Sequence, residues 1–372
     1  MRVAVNGKTF SLPQKGGVAR AATEIVRAIA RERPDITLDV LVPCPPARVA
    51  LPDMPDSVRY RTTTSRAYAS GYGRSAWEQL VLPRVVRAGG YDILLNLSNS
   101  APVLYNPRIP QLLLVHDAGF LNRQWYSAAY SRYVETVVRR AARRGALLVT
   151  VSEASARDLE RAFPEAKSIE VVHNDADRPP AEIPNLDLPE PFILLLGSLN
   201  PRKNLEGAIA GFRMFAEMSE LPYRLVIVGG GKTIFRGMPV TRFESLRQED
   251  DRILIAGYVS DAERWTYYRA ACALLMPSHL EGFGLPVLEA LRVGTPVVAS
   301  DLAVFRELYD DAVERVDPNS PEDIAAGLAR ICVDGTLRNE RIRRGRVVAE
   351  RYSWERSAAC YVELVEQIAE SR

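Results

Sequence analysis

The feature that most constrains this chain is a pattern stated twice: short apolar runs rich in Val, Ile and Leu, each followed by a stretch with helical spacing. In the first half the runs cover residues 2–6, 38–42, 92–97, 111–116 and 147–152, and in the second 192–197, 224–228, 252–256, 273–277 and 296–300. A strand buried on both faces reads as a continuous apolar run, so alternation with helices predicts βαβ units and parallel sheets. Between the two sets, residues 177–191 hold five prolines and no periodicity, which is how a linker reads. The expected fold class is α/β: a Rossmann-like doubly wound domain at residues 1–178, a linker at 179–191 and a second such domain at 192–353, facing a cleft. A last amphipathic helix over Trp354–Glu370 could pack on either domain.

Composition narrows the function classes. The 372 residues are 47% hydrophobic and 25% charged, a globular balance with enough length for two cores. The 48 Lys and Arg against 46 Asp and Glu leave a net charge of +2, so no global basic field argues for nucleic acid, and any anion site must be local. Cys44, Cys272, Cys332 and Cys360 are scattered without metal-ligand spacing and read as reduced core thiols of a cytoplasmic protein. No apolar run reaches the roughly 20 residues that cross a bilayer, and the N-terminus has no signal pattern.

In doubly wound sheets, ligands bind at the carboxyl ends of the strands. After the first strand, Lys15, Gly16 and Gly17 lead into a helix, where a glycine pair lets backbone N–H groups approach an anion or simply makes a turn. After the run at 192–197 comes Asn200-Pro201-Arg202-Lys203-Asn204, two adjacent cations suited to a polyanion, although an Arg-Lys pair is also the usual dress of a solvated loop. The strongest local signal runs from Glu281 through Gly282-Phe283-Gly284-Leu285-Pro286 to Glu289. Here a strand end, an acidic residue and a Gly-x-Gly turn open a helix marked by Pro286, and the N–H groups of Phe283, Gly284 and Leu285 can take phosphate or hydroxyl groups. Glu281 can be explained as an answer to the helix dipole, but Glu289 cannot. His116 ends the fourth run and can polarise a hydroxyl or serve as a buried structural histidine.

Two patterns are set aside. Gly229-Gly230-Gly231-Lys232-Thr233 resembles the end of a P-loop, but Val226 stands where that motif needs glycine. Asp175-Ala176-Asp177 has the form of a metal-binding DxD without supporting ligands. On the helix at 132–145, Arg139, Arg140, Arg143 and Arg144 gather opposite a narrow apolar stripe. That is either a solvated face or a peripheral contact with an anionic membrane, at its inner face for a cytoplasmic protein.

These residues together resemble glycosyltransferase family 4, retaining enzymes of the GT-B fold. The resemblance is carried by Gly16-Gly17, the Val-His-Asp ending at Asp117, Val149 to Glu153, Asn200 to Asn204, Val226 to Gly229, Gly257-Tyr258-Val259, Glu281 to Glu289, Gly294 to Ala299, and Tyr352 to Glu355. It implies that Arg202 and Lys203 grip a diphosphate, and that Glu281 with the amides of Phe283 to Leu285 holds the transferred sugar. Glu289 would bind the donor ribose, and His116 would hydrogen-bond the donor sugar. Gly16 and Gly17 would approach donor phosphates or acceptor, with Gly282 and Tyr258 completing the donor-binding set. The last helix would cross back onto the first domain, and neither metal nor other cofactor is expected. Val172-His173-Asn174-Asp175-Ala176 departs from the family's Pro-Asn-Gly turn.

The stretches Trp77 to Pro83 and Asn96 to Pro102 resemble the branch that builds bacterial surface polysaccharides, lipopolysaccharide among them, from mannose or deoxyhexose donors. The implied activity is hexosyl transfer from a nucleotide-diphosphate sugar, GDP-mannose preferred, to a saccharide or lipid-linked saccharide. Residues 68–77, 96–102 and 120–130 are candidate acceptor loops. A sugar-nucleotide epimerase or hydrolase, or a non-catalytic binding partner on the same fold, are the alternatives.

Overall fold

The computed structural model describes residues 1–11, 16–44, 53–63, 71–104, 109–198, 200–229 and 249–370. Lys15 of the glycine turn, Leu199, Gly230 to Thr233 of the P-loop-like segment and residues 68–70 of an acceptor loop lie outside them. The chain divides into two compact units. The first is Met1–Leu121, Ala128–Asp175 and Ser353–Arg372, and the second is Asn122–Ser127 with Ala176–Tyr352. That residues 122–127 join the second unit, with both flanks in the first, is announced by no local pattern.

The first unit runs β1 (Arg2–Asn6), α1 (Gly17–Glu32), β2 (Thr37–Val42), β3 (Val58–Thr62), α2 (Gly71–Leu80), α3 (Leu82–Ala88), β4 (Ile93–Asn96) and β5 (Gln111–Leu114). It continues through α4 (Ala128–Arg143), β6 (Leu147–Thr150), α5 (Glu153–Ala162) and β7 (Ile169–Val171). All pairings are parallel, in the order β3-β2-β1-β4-β5-β6-β7. Between the sheet and α4 lies a core that includes Leu113, Val115, Phe120, Val134, Val138 and Phe163.

The second unit repeats the plan with β8 (Phe192–Leu196), α6 (Leu205–Met218), β9 (Arg224–Val228), β10 (Ile253–Gly257), α7 (Asp261–Ala270), β11 (Ala273–Met276), α8 (Leu285–Val293) and β12 (Val297–Ser300). It ends with α9 (Ala303–Tyr309), β13 (Glu314–Val316), α10 (Pro321–Val333) and α11 (Gly335–Ala349). The sheet order is β10-β9-β8-β11-β12-β13, again parallel. Its core joins Ile193, Leu225, Leu275 and Val298 of the strands to Phe212 and Phe215 of α6 and Ile324 and Leu328 of α10. The chain returns as α12 (Trp354–Glu370), which packs along α1 in the first unit, with Arg33 and Glu366 paired between their ends.

Three strands escaped the sequence pattern, namely β3, β7 and β13, and each closes the edge of a sheet. An edge strand is covered less than a central one, and these three carry no continuous apolar run, unlike the remaining edge strand β10. The Val-Arg-Tyr-Arg-Thr of β3 buries only Val58 fully. The thiols also differ from expectation: all four are free, but only Cys44 is buried, and Cys360 is exposed on α12.

Candidate active site

In each sheet the first and fourth strands are neighbours, with later strands added outward on both sides. The strand order reverses there, which leaves a crevice at the carboxyl ends where ligands settle. In the second unit this switch point lies between β8 and β11, and their following loops carry Arg202, Lys203 and Glu281.

Local geometry explains how these groups are presented. Pro201–Lys203 form a single 3₁₀ turn. Asn204, left-handed at φ +53°, then caps α6 through its side chain, which accepts from the Gly207 N–H at 3.2 Å, while its amide donates to the Pro318 carbonyl at 2.6 Å. The His279 N–H donates to the Arg202 carbonyl at 2.8 Å and ties the two loops together. Lys203 Nζ lies 2.6 Å from Glu281 Oε1, with side chains only 13% and 6% exposed. Burial alone would push the Glu281 carboxyl up, but Lys203 and Arg202 outweigh it and hold it below its ordinary value. The pair is therefore ionised, and with Arg202 the group carries a net positive charge.

Glu281 leads directly into the start of α8. Gly284, at φ +89°, is the cap of that helix, and a Cβ there would come within 2.6 Å of Phe305 Cε1, so both conformation and space call for glycine. Phe283 is buried edge-on against Tyr309 and Tyr352. The Tyr309 hydroxyl donates to the carbonyls of Phe283 at 3.0 Å and Gly284 at 3.2 Å. Because a trans peptide sets C=O and N–H in opposite directions, this anchoring aims the N–H groups of Gly284 and Leu285 away from Tyr309. Gly282 is buried between Glu281 and this turn.

One turn into α8, Glu289 is nearly inaccessible, and both its oxygens are held. Oε1 pairs with Arg264 Nη1 at 2.9 Å, and Oε2 accepts from the Tyr268 hydroxyl at 2.7 Å. Arg264 Nη2 reaches on to Asp177 Oδ2 at 2.9 Å. Thus Asp177, set aside as half of an unsupported DxD, is the anchor of a buried arginine. The sequence signal for Arg264 and Tyr268 was their i, i+4 spacing on α7, which places both on one helix face. Tyr258 follows β10, two strands from β8 at the same end of the sheet, and is 71% exposed.

Trp125, from residues 122–127, stacks on the His279 imidazole with ring centroids 6.4 Å apart and planes 8° from parallel. Burial lowers the His279 pKa, which favours the neutral ring.

The other expected site residues belong to the first unit. Gly16 caps α1 and Gly17 begins it, with open space around the Gly16 Cα. His116 is buried just past β5, where its backbone N–H donates to Asn99 Oδ1 at 2.9 Å. At this unit's own switch point, between β1 and β4, stands a polar cluster in which the stretches Trp77 to Pro83 and Asn96 to Pro102 meet Asn6, Lys8 and Tyr133, a meeting no local pattern announces. Glu78, fully buried on α2, accepts from Asn6 Nδ2 at 2.8 Å, Lys8 Nζ at 2.8 Å, the Tyr133 hydroxyl at 2.9 Å and Ser100 Oγ at 2.5 Å. Asn6 and Asn96, the last residues of β1 and β4, join at 3.0 Å. Burial would raise the Glu78 carboxyl, but Lys8 and these donors bring it below its usual range. The four arginines of α4 and its end are largely spoken for. Arg139 pairs with Glu165 at 2.7 Å and Glu135 at 3.3 Å, Arg143 with Glu165 at 3.5 Å, and Arg144 donates to the Val103 carbonyl at 2.6 Å, while Arg140 is exposed. No described helix is long and apolar enough to cross a membrane.

Two doubly wound parallel sheets, with a cation and carboxylate pair at the second switch point, define the GT-B class of glycosyltransferases. The fold matches the sucrose-phosphate synthase (tll1590) from Thermosynechococcus elongatus over 100% of this chain and 99% of that one, with TM-score 0.80 at 19% identity. It also matches Anabaena Alr3699/HepE in complex with UDP and glucose over 99% and 100%, with TM-score 0.71 at 16% identity. Residues 15–177 match the family described as Glycosyltransferase Family 4, and residues 180–348 match Glycosyl transferases group 1. The chain belongs to glycosyltransferase family 4. It is 30% identical over 238 residues to O-antigen chain mannosyltransferase B of Escherichia coli, a match covering 60% of this chain and 61% of that protein. It is 24% identical over 286 residues to O-antigen chain mannosyltransferase RfbU of Salmonella typhimurium, covering 76% of each.

Proposed function

We propose that this chain transfers a hexosyl group, mannose in the first instance, from a nucleoside-diphosphate sugar to a saccharide or lipid-linked saccharide in cell-surface polysaccharide synthesis, with retention at the anomeric carbon. The observation that carries the reading is the Lys203–Glu281 pair with Arg202 beside it at the second switch point. In the reaction the acceptor oxygen bonds to the anomeric carbon, the bond to the diphosphate oxygen breaks, and its electron pair leaves with the diphosphate. The acceptor proton passes to the departing diphosphate oxygen, which balances the exchange. Arg202 and Lys203 stabilise the growing diphosphate charge. Glu281, held ionised by both, keeps Lys203 extended in the crevice and offers its remaining lone pairs to sugar hydroxyls. The amides of Gly284 and Leu285 add fixed dipoles at the start of α8. His116, Gly16 and Gly17 are assigned to the sugar and phosphate edges of the donor, and Tyr258 to the rim of its site. The mannose preference is supported by the O-antigen mannosyltransferase relatives, and a nucleotide-sugar site by the UDP-bound structural neighbour.

The test is thermal stability of the purified chain against GDP, UDP and dTDP and their hexose conjugates, followed by transfer assays with the stabilising donor. A ligand at 100 times its Kd adds about 2.7 kcal/mol, enough to rank the panel. Lys203→Ala and Glu281→Ala are each expected to lower turnover about 10²-fold, and a chelator is expected to leave the rate unchanged because the fixed cations carry the charge. Wild-type turnover in both variants would remove the pair from the mechanism. Alteration of the donor with no acceptor present would replace transfer by another chemistry.

A further inference from the structure

Residues Asn122–Ser127 belong to the second unit, although β5 and α4 on either side belong to the first. The excursion is a tight turn built on Asn122. Its side chain accepts from the Gln124 N–H at 2.9 Å, and its carbonyl accepts from the Trp125 N–H at 3.2 Å and the Tyr126 N–H at 3.3 Å. An asparagine that bonds the backbone two residues on initiates such a turn. The turn presents the Trp125 indole to the His279 imidazole, with 8° between the ring planes and 6.4 Å between centroids.

His279 stands at the edge of the charged group. Its backbone N–H bonds to the Arg202 carbonyl at 2.8 Å, Lys203 is the next residue of that loop, and Glu281 lies just beyond His279 in the chain. Trp125 is therefore fixed beside the site where the diphosphate and the transferred sugar are expected. Parallel rings with centroids this far apart are displaced sideways, so the imidazole covers only part of the indole, and Trp125 is half-buried. The core tryptophans Trp77 and Trp265 are fully buried by contrast, and the Trp77 indole N–H donates to Thr63 Oγ1 at 2.6 Å. An uncharged ring offers nothing to a diphosphate, which already has Arg202 and Lys203. It suits a neutral saccharide, whose C–H faces are apolar and weakly positive and match the electron-rich face of an indole. A tryptophan also places that surface with only two rotatable bonds to immobilise.

We propose that Trp125 is the stacking platform for a pyranose ring of the acceptor, with His279 behind the indole to fix its tilt. The inference rests on the transfer reading above and adds to it a residue that binds the acceptor. The donor is held by charge through its diphosphate, whereas a neutral acceptor has no such handle and depends on apolar contact with a few polar groups at its rim.

The experiment uses the full chain and initial rates of transfer, from the donor that the stability panel selects, onto methyl and octyl α-pyranosides of mannose, glucose, galactose and rhamnose. Trp125→Leu is expected to raise the acceptor KM at least about tenfold. Turnover at saturating acceptor and the donor KM should both stay within about twofold of the unaltered chain, as when only acceptor binding is lost. Trp125→Phe keeps a ring and should hold the acceptor KM within about threefold. An unchanged acceptor KM in Trp125→Leu would overturn the platform role. So would equal rises in both KM values or a fall in saturated turnover alone, which would mean that Trp125 merely props the His279 loop. A rise in the donor KM alone would assign the ring to the donor sugar and overturn the proposal as well. If Trp125→Leu fails to fold, Trp125→Met decides by the same readings, since an unbranched side chain adapts to an irregular gap. No transfer to any of these pyranosides by the unaltered chain would overturn the transfer reading itself, whereas transfer that is indifferent to Trp125 would overturn this inference alone.

Discussion

Replacing Glu281 by Gln is the most informative single perturbation of this protein. The amide keeps the shape and can still accept from Lys203 Nζ, so what is removed is charge. Lys203, 13% exposed, is left with an uncompensated ammonium beside Arg202. Breaking a buried pair by removing one partner costs about 3–5 kcal/mol, and little of that is relieved by solvent at such low exposure. In a unit of this size each kcal/mol moves Tm by about 2–4 °C, so a fall of about 6–20 °C is expected in the transition of the second unit, followed by calorimetry. Lys203→Met combined with Glu281→Leu should be less destabilised than Glu281→Gln, because two apolar replacements leave no stranded charge. The pH dependence has a definite sign. The folded Glu281 carboxyl lies below its usual 4.5, so its contribution is complete above the unfolded value and is lost as pH falls through the folded one. Glu281→Gln should therefore flatten the acid limb of the stability curve. The reasoning is refuted if a cycle over Lys203→Met and Glu281→Leu is additive within about 0.5 kcal/mol, since an uncoupled pair would show that result.

Two further outcomes are expected. Glu78→Gln should destabilise the first unit by about 3–5 kcal/mol by stranding Lys8, and proteolysis of that unit should become faster while the second unit's transition stays in place. Gly284→Ala combines φ +89° with a 2.6 Å approach to Phe305 Cε1, and should cost at least about 1–3 kcal/mol by denaturant titration. An unchanged midpoint would show that the turn does not need its left-handed residue.

Much of the fold was legible because burial writes itself into composition. A central parallel strand is covered on both faces, so β1, β5, β8 and β11 appear as unbroken apolar runs that no loop would carry. Three of the four edge strands lack that signature, and β3 carries two arginines where a central strand would carry apolar residues. The candidate site was legible where its groups lie close in sequence, as in Arg202-Lys203 and the segment from Glu281 to Glu289, because local backbone geometry makes such spacing informative. It was illegible where partners are distant. Asp177 and Arg264 stand 87 residues apart, and Asn6, Glu78 and Asn96 meet only because β1 and β4 are neighbours.

By itself, then, the sequence determined that this chain builds two α/β halves and which loop residues stand at the carboxyl ends of their strands, since periodicity and turn chemistry are local properties. Only the tertiary structure decided which charges share one environment. It placed Lys203 against Glu281, set Glu289 between Arg264 and Tyr268, and buried Glu78 with Lys8. The sign and strength of a site depend on distances through space and on how much water is excluded, and neither quantity is written in the order of residues along a chain.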